Sequence, residues 1–439
     1  SNLYWITNSL TFEENFKFLI PFALILIPLF LGIFYGIATL ACSFFSLSKK
    51  FSSILIFSIF FSVSEFFRSF VLGGFPWNLI VFTWTNYLSF LQVLSFIGTY
   101  SLNLLSITIF LIPAIILFKY KKIEKVLFIF FTILLFVSNF FYGAQILENN
   151  KKQNKTNLDF VIKIISPNIG IKRFFDDKNP ETIILELVKL SKPSSLEKSI
   201  FIFPEGSLSN VYLQDLKNYS HIFSENYSDE HSIIVGINSV EKEKIFNSLV
   251  VMDKNLNILA KYNKNKLVPF GEFIPLENFF KNFGLKKITQ GYSSFTNGNK
   301  REIINVNNIY FVPLICYEII YSGKINKTNE DFDLILNISE DGWFGDSVGP
   351  YQHFSHSIFR AIEEGKNLIR SSNNGISAFI NTKGQIINHI KTTERGVIEV
   401  KSFVKSKKTL FSSFGNKIFF YFLFFYISLF FFLKRREIE

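Results

Sequence analysis

The stretch Phe311-Val312-Pro313-Leu314-Ile315-Cys316-Tyr317-Glu318 decides the fold of the polar half of the chain. Everything before the cysteine is apolar, so the run has no solvent face. That pattern belongs to a strand in a sheet covered on both sides, as in α/β folds. The strand ends on Cys316. Ligand sites in α/β sheets assemble at strand ends, so the sulfur is expected at the sheet edge. A lone cysteine is more often a small buried hydrophobe than a nucleophile. Its surroundings have to argue for chemistry.

Similar short runs lie on both sides of it. Asp159–Ile165, Ser199–Phe203, Ser232–Ile237, Phe246–Met252, Asp333–Ile338 and Ile376–Ile380 are β-branched or aromatic and bounded by turn residues. Thr182–Leu190 and Gln352–Leu368 read as helices. The 158–403 region is therefore predicted to be one α/β unit. Glu205 follows the run Phe201-Ile202-Phe203-Pro204, and three lysines, Lys261, Lys264 and Lys266, crowd the segment before Pro269-Phe270-Gly271-Glu272. A thiol needs ionising before it attacks, a carboxylate can take its proton, and an ammonium can steady an oxyanion. Spacing alone leaves open which lysine does so. His353 and His356 also offer a Cys-His dyad, a less favoured reading because both fall on a predicted helix.

The rest of the chain is of another kind. Hydrophobic residues make up 49% of its 439 positions and Phe alone supplies 57, too much for one soluble domain. Five apolar runs are long enough to span a bilayer: Phe18–Phe45, Phe51–Val71, Leu88–Phe118, Val126–Tyr142 and Ile418–Leu433. Residues 1–147 read as a membrane domain with about four transmembrane helices, and 411–434 as a C-terminal one. Glu65 and Arg68 sit inside the second run, three residues apart and on one face. An intramembrane ion pair is the structural reading, and a lipid headgroup contact the functional one.

The formal net charge of +11 is carried by bases beside the apolar runs, with no zinc finger or other nucleic-acid signature, so no nucleic-acid partner is expected. Lys49-Lys50, the Lys119–Lys125 cluster and Lys434-Arg435-Arg436 all fall on one side when crossings are counted. Basic loops stay cytoplasmic, which places residues 147–416 on the opposite face. The chain opens on Ser1 and not Met, without a signal-peptide pattern. A segment upstream of Ser1 or an artificial boundary there is expected.

The Glu205, Lys264 and Cys316 order resembles the catalytic set of the nitrilase, or carbon–nitrogen hydrolase, superfamily. The whole chain is similar to the apolipoprotein N-acyltransferase family. The motifs that carry the likeness run nearly its full length: Tyr4-Trp5, Glu65-Phe66-Phe67-Arg68, Gly74-Phe75-Pro76-Trp77, Phe203-Pro204-Glu205, Tyr262-Asn263-Lys264, Cys316-Tyr317-Glu318, Asp341-Gly342-Trp343-Phe344-Gly345 and Arg370-Ser371-Ser372-Asn373-Asn374-Gly375. The resemblance implies an αββα sandwich beside a multi-span membrane domain. It selects Lys264 among the lysines, and it gives Glu272, Tyr317, Glu318, Trp343 and Phe344 supporting or substrate-binding roles. Family members have about eight spans, which implies that roughly the first three are not in this chain. Two departures stand out: Glu340 where the family usually has Asn, and Phe174 or Phe175 where it usually has Trp.

The implied reaction moves an acyl chain from a phospholipid, through a Cys316 thioester, to the terminal amino group of a diacylglyceryl-modified apolipoprotein. The implied setting is a bacterial inner membrane with the catalytic domain periplasmic. The enzyme is expected to be a monomer with no metal or organic cofactor. A membrane-tethered amidase of the same superfamily is the alternative.

Overall fold

The computed structural model describes residues 3–45, 47, 49–153, 155–175, 179–208, 211–275, 294–325 and 330–437. Twelve strands in these residues form two six-stranded sheets. The first has the order β12-β1-β2-β3-β4-β5, from β1 (Thr156–Ser166), β2 (Ser199–Ile202), β3 (His231–Glu241), β4 (Lys244–Met252), β5 (Ile258–Asn263) and β12 (Gly396–Phe403). The second runs β11-β10-β9-β8-β7-β6, from β6 (Ile304–Val306), β7 (Ile309–Ile315), β8 (Leu334–Glu340), β9 (Asn367–Asn373), β10 (Ser377–Ile380) and β11 (Ile386–Ile390). Strands β1, β2 and β3 are parallel neighbours, as are β7, β8 and β9. Their carboxyl ends lie together.

Period-two alternation builds the layers. Ile200, Ile202 and Ile234 point inward to meet Phe311, Ile315, Leu334, Leu336 and Ile338 of the facing sheet. Phe201, Ile233 and Val235 point outward, onto Ile183, Ile184, Leu187 and Val188 of the Pro180–Ser191 helix. On the far side Val312, Leu314 and Ile335 meet Phe354, Ile358, Phe359 and Ile362 of the Gly349–Glu364 helix. The result is the αββα sandwich.

The outer layer on that side is shared. The same apolar cluster continues without a break into Trp5, Leu55, Ile59, Phe66, Leu94, Leu104 and Phe419 of the membrane part. Five helices are long and apolar enough to cross a bilayer: Glu14–Ser43, Phe51–Arg68, Leu94–Leu117, Lys122–Asn150 and Lys417–Arg436. The Phe51–Arg68 helix packs against the first, third and last of these. Its buried face carries Ser58, Ser62 and Ser64, small residues that let helices approach closely. Ser64 donates to the Phe34 carbonyl at 2.6 Å.

The structure changes some element bounds. The second span stops at Arg68, and the chain from Ser69 to Val71 turns. The third is broken: Leu88–Leu91 is a separate short helix, and the helix from Leu94 kinks at Gly98, where φ is 71°. The fourth is longer than its apolar core, Lys122–Lys151. The helix expected over Gln352–Leu368 is Gly349–Glu364, because Gly365 takes a left-handed cap with φ 63° and Asn367 already opens β9.

The three basic clusters meet at one end of the bundle. Lys50 Nζ donates to the Glu437 carbonyl at 2.5 Å, Ser52 N to its carboxylate at 3.1 Å, and the Tyr120 hydroxyl to the same carboxylate. Lys119 N reaches the Lys49 carbonyl at 3.4 Å.

Candidate active site

Each trio member is delivered by a strand end. β2 leads through Phe203-Pro204 to Glu205, β5 leads directly into Lys264, and β7 ends on Cys316. Cys316 has φ 48°, in the left-handed region that a side-chain-bearing residue rarely adopts. Holding it there costs on the order of 1–3 kcal/mol, which the surrounding bonds must offset.

Glu318 supplies the main restraint. Its buried carboxylate accepts from Ile315 N at 2.9 Å, Tyr262 Oη at 2.6 Å, Asn265 N at 3.0 Å, Lys266 N at 3.1 Å and Arg301 Nη2 at 3.0 Å. One side chain therefore ties the cysteine strand to the lysine loop.

Lys264 is buried, and its ammonium lies 3.1 Å from Glu205 Oε1 and 3.0 Å from Glu272 Oε1. Asn247 Nδ2 bridges the same two carboxylates at 2.6 and 2.8 Å. Glu272 is held in turn by Val268 N at 2.8 Å. Burial opposes the Lys264 charge, but Glu205 and Glu272 outweigh it and keep the ammonium well above the usual lysine range. The other two lysines lie elsewhere: Lys261 pairs with Glu241 at 2.6 Å, and Lys266 lies over the Tyr321 ring.

Glu205 Oε2 accepts from Glu340 N at 2.9 Å. With Asn247 and Lys264 on Oε1, three of the roughly four lone-pair positions of a carboxylate are taken. One position remains for a proton donor. Burial, and then the Glu205 charge, push the Cys316 thiol well above its ordinary value, against the pull of Lys264. The resting thiol is protonated and has a carboxylate in its field.

The histidines do other work. His353 Nε2 meets the main-chain oxygen of Cys316 at 3.3 Å, and Nδ1 lies 2.9 Å from Asp341. Arg370 pairs with the same Asp341 at 2.8 Å. Burial and the Arg370 charge hold His353 below its usual value, and Arg370 and His353 hold Asp341 well below the carboxylate range despite its burial. His356 packs between the Trp77 and Phe82 rings.

Tyr317 donates to the Gly74 carbonyl at 2.6 Å. Trp343 is half-buried and stacks on Phe174 at 5.3 Å, with Phe175 at 6.4 Å and Phe12 at 5.9 Å. Phe344 packs on Trp5 at 4.7 Å and Trp77 at 5.6 Å. Both indole N–H groups, of Trp5 and of Trp77, donate to Gln352 Oε1.

Sequence reasoning gave no role to Asn247, Arg301 or Arg173. A polar residue within an otherwise apolar strand was the available signal for Asn247. The two arginines offered none.

Fold and site define a membrane-embedded protein with a catalytic domain of the carbon–nitrogen hydrolase type. Comparison with known proteins agrees. Residues 219–402 match the carbon–nitrogen hydrolase family model, and residues 1–112 match the apolipoprotein N-acyltransferase N-terminal domain. An apolipoprotein N-acyltransferase of Rickettsia prowazekii is 32% identical over 430 residues, covering 95% of this chain and 83% of the relative. One from Brucella melitensis is 28% identical over 411 residues, 91% of this chain and 76% of the relative. A solved CN-hydrolase superfamily protein from Xanthomonas campestris is 15% identical with TM-score 0.40, covering 56% of this chain and 91% of that one. The chain belongs to the apolipoprotein N-acyltransferase family. It is an acyltransferase.

Proposed function

We propose that the protein moves an acyl chain from a phospholipid to the free amino group of a diacylglyceryl-cysteine at the start of an apolipoprotein, with Cys316 as nucleophile, Glu205 as base and Lys264 as oxyanion contact. The observation that carries this is the buried ammonium of Lys264, held between the carboxylates of Glu205 and Glu272 and within the electrostatic reach of Cys316.

In the first half, Glu205 takes the thiol proton as Sγ attacks the ester carbonyl. Charge gathers on the carbonyl oxygen, which Lys264 and a main-chain N–H beside Cys316 stabilise. The tetrahedral adduct collapses, the C–O bond breaks, and the proton on Glu205 passes to the departing lysophospholipid. In the second half, the acceptor amine attacks the thioester and gives its proton to Glu205. The C–S bond breaks and the thiol is reprotonated. Glu272 holds Lys264 in place, and Glu318 holds the turn after Cys316. Trp343 and Phe344 line the approach for lipid chains.

Both substrates are anchored in lipid, which accounts for a nitrilase-type site fused to membrane helices. The basic clusters mark the cytoplasmic side, so the catalytic domain is periplasmic and the helices lie in the inner membrane. The enzyme works as a monomer.

The test is intact mass of the full chain after incubation with phospholipid vesicles. An adduct of one acyl chain on Cys316, discharged by a diacylglyceryl-cysteine peptide, is expected. An adduct discharged only by water would favour the amidase reading, and an adduct at Cys42 would overturn the assignment.

A further inference from the structure

Directly beneath Glu205 lie two buried charges that the reaction does not use. Arg173 sits in the short turn Ile171–Phe174 after β1, and Glu340 is the last residue of β8; both side chains are nearly inaccessible, and they form an ion pair. The guanidinium grips the Gly206 carbonyl, one residue beyond Glu205, with Nε at 3.3 Å and Nη2 at 3.0 Å. Its Nη1 holds the Ile169 and Gly170 carbonyls at 3.0 and 3.2 Å. Gly206 itself has φ 61°, and a Cβ there would come within 2.8 Å of the Phe174 ring.

Glu340 works on the other flank. Its main-chain N–H donates to Glu205 Oε2 at 2.9 Å. Its carboxylate is fixed by Gly342 N at 2.8 Å and by Asn373 Nδ2 at 2.8 Å, with Asn374 Nδ2 at 3.3 Å. Arg173 thus holds the carbonyl one residue beyond Glu205, and the main chain of Glu340, whose side chain is fixed by Gly342 and Asn373, binds the Glu205 carboxylate.

Stability does not explain this arrangement. Removing two ions from water costs several kcal/mol each, and well-packed apolar residues of similar volume are often at least as stable. Charge balance matters more here. Glu205 and Glu272 share one ammonium, so the site already carries one excess negative charge. An unpaired Glu340 would either add a second or be neutralised by a proton, since burial already raises its carboxyl.

We propose that Arg173 and Glu340 are positioning residues for Glu205, a matched buried pair that orients its carboxylate toward the Cys316 thiol without adding net charge beside it. This rests on the reading of Glu205 as the base. Among the described residues, the charged and titratable groups facing Glu205 are Lys264 and Glu272 from the β5 side, Cys316 from β7, Glu340 from β8 and Arg173 through Gly206.

The experiment is single-turnover acylation of the full chain by phosphatidylglycerol in mixed micelles, followed by intact mass across the acid-to-neutral range. Glu340→Gln leaves Arg173 as an added positive charge, so the acid limb should move to lower pH by roughly one unit. Arg173→Met leaves Glu340 unpaired; burial already raises that carboxyl, so it is left negative or takes up a proton, and in neither case should the limb move to lower pH. The double variant should return the limb towards its original position with the rate still reduced, because the Gly206 carbonyl is no longer gripped. A misplacement of about 1 Å costs on the order of 10²-fold. Arg173→Lys keeps the charge and loses the fork, so it should keep the limb and lose rate; this variant serves if Arg173→Met does not fold. A Glu340→Gln limb that stays put or moves upward, an Arg173→Met limb that moves downward, or an Arg173→Lys variant at full rate would overturn the proposal. Glu205→Gln is the separate control. Retained acylation there refutes the base assignment itself, whatever the pair does.

Discussion

Tyr317 donates its phenolic hydrogen to the Gly74 carbonyl, 2.6 Å away and 243 residues earlier in the chain. Tyr321 reaches the Gly73 and Gly74 carbonyls at 2.7 and 3.1 Å. The turn after the cysteine is thereby fastened to the loop after the second membrane helix. Tyr317→Phe should cost about 0.5–1.5 kcal/mol, since Tyr321 still serves Gly74. Replacing both tyrosines by Phe orphans two carbonyls and should cost more than the sum of the single changes. Unfolding in detergent measures this, and strictly additive losses would sink the idea of a shared latch.

Cys316→Ala should abolish acyl-enzyme formation, and Cys316→Ser should come close, because a hydroxyl is far harder to ionise. Glu205→Gln keeps shape but not proton acceptance, and should slow acylation on the order of 10²- to 10⁴-fold. Lys264→Arg should also fail, since a planar fork cannot sit where a compact ammonium meets two carboxylates. Near-normal thioester formation in either variant would show the trio to be misassigned.

The thiol itself has a pH signature. Burial and the Glu205 charge hold Cys316 mostly protonated at neutral pH. Alkylation by iodoacetamide should therefore be slow near neutrality and climb only above the ordinary thiol range. Glu205→Gln removes a negative charge, so its alkylation profile should move to lower pH even as acylation by phospholipid is lost. A profile that moves to higher pH contradicts the electrostatic account.

Within the membrane, Glu65 accepts from Tyr35 at 3.0 Å and Asn103 at 2.5 Å, while Arg68 lies 3.9 Å from Glu65 and donates to Tyr35 at 3.3 Å. Breaking a buried pair by removing one partner costs about 3–5 kcal/mol. Glu65→Leu should thus be more damaging than Glu65→Leu combined with Arg68→Leu. Thermal unfolding in lipid nanodiscs compares them. A double variant weaker than the single one would point to a lipid headgroup role for Arg68.

Sidedness is open to direct labelling. A membrane-impermeant thiol reagent on outer-membrane-permeabilised cells should modify a cysteine placed at Asn226 and spare one placed at Lys121. The reverse pattern would overturn the periplasmic placement.

Several strands that run apolar are legible from residues alone, because burial on both faces leaves an unbroken apolar run. β7 and β8 are plain examples. β5, β6, β9, β11 and β12 do not stand out as runs in the sequence: four are short, exposed or edge-side, and β9, Asn367-Leu368-Ile369-Arg370-Ser371-Ser372-Asn373, is wholly buried, yet most of it is polar. Its polar groups are satisfied by partners far away in the chain, Arg370 by Asp341 and Asn373 by Glu340. The proposed trio rests on motif order, and in the sequence Lys264 is told from Lys261 and Lys266 only by that likeness. Burial separates them in space, since the two carboxylates that hold Lys264 come from separate loops. Apolar length and basic flanks determined how many segments can cross a membrane. Only the tertiary structure brought Gly74 to Tyr317 and Arg173 to Glu340. Local sequence encodes which face of an element is dry, but a hydrogen bond between side chains hundreds of residues apart exists only after the layers have packed.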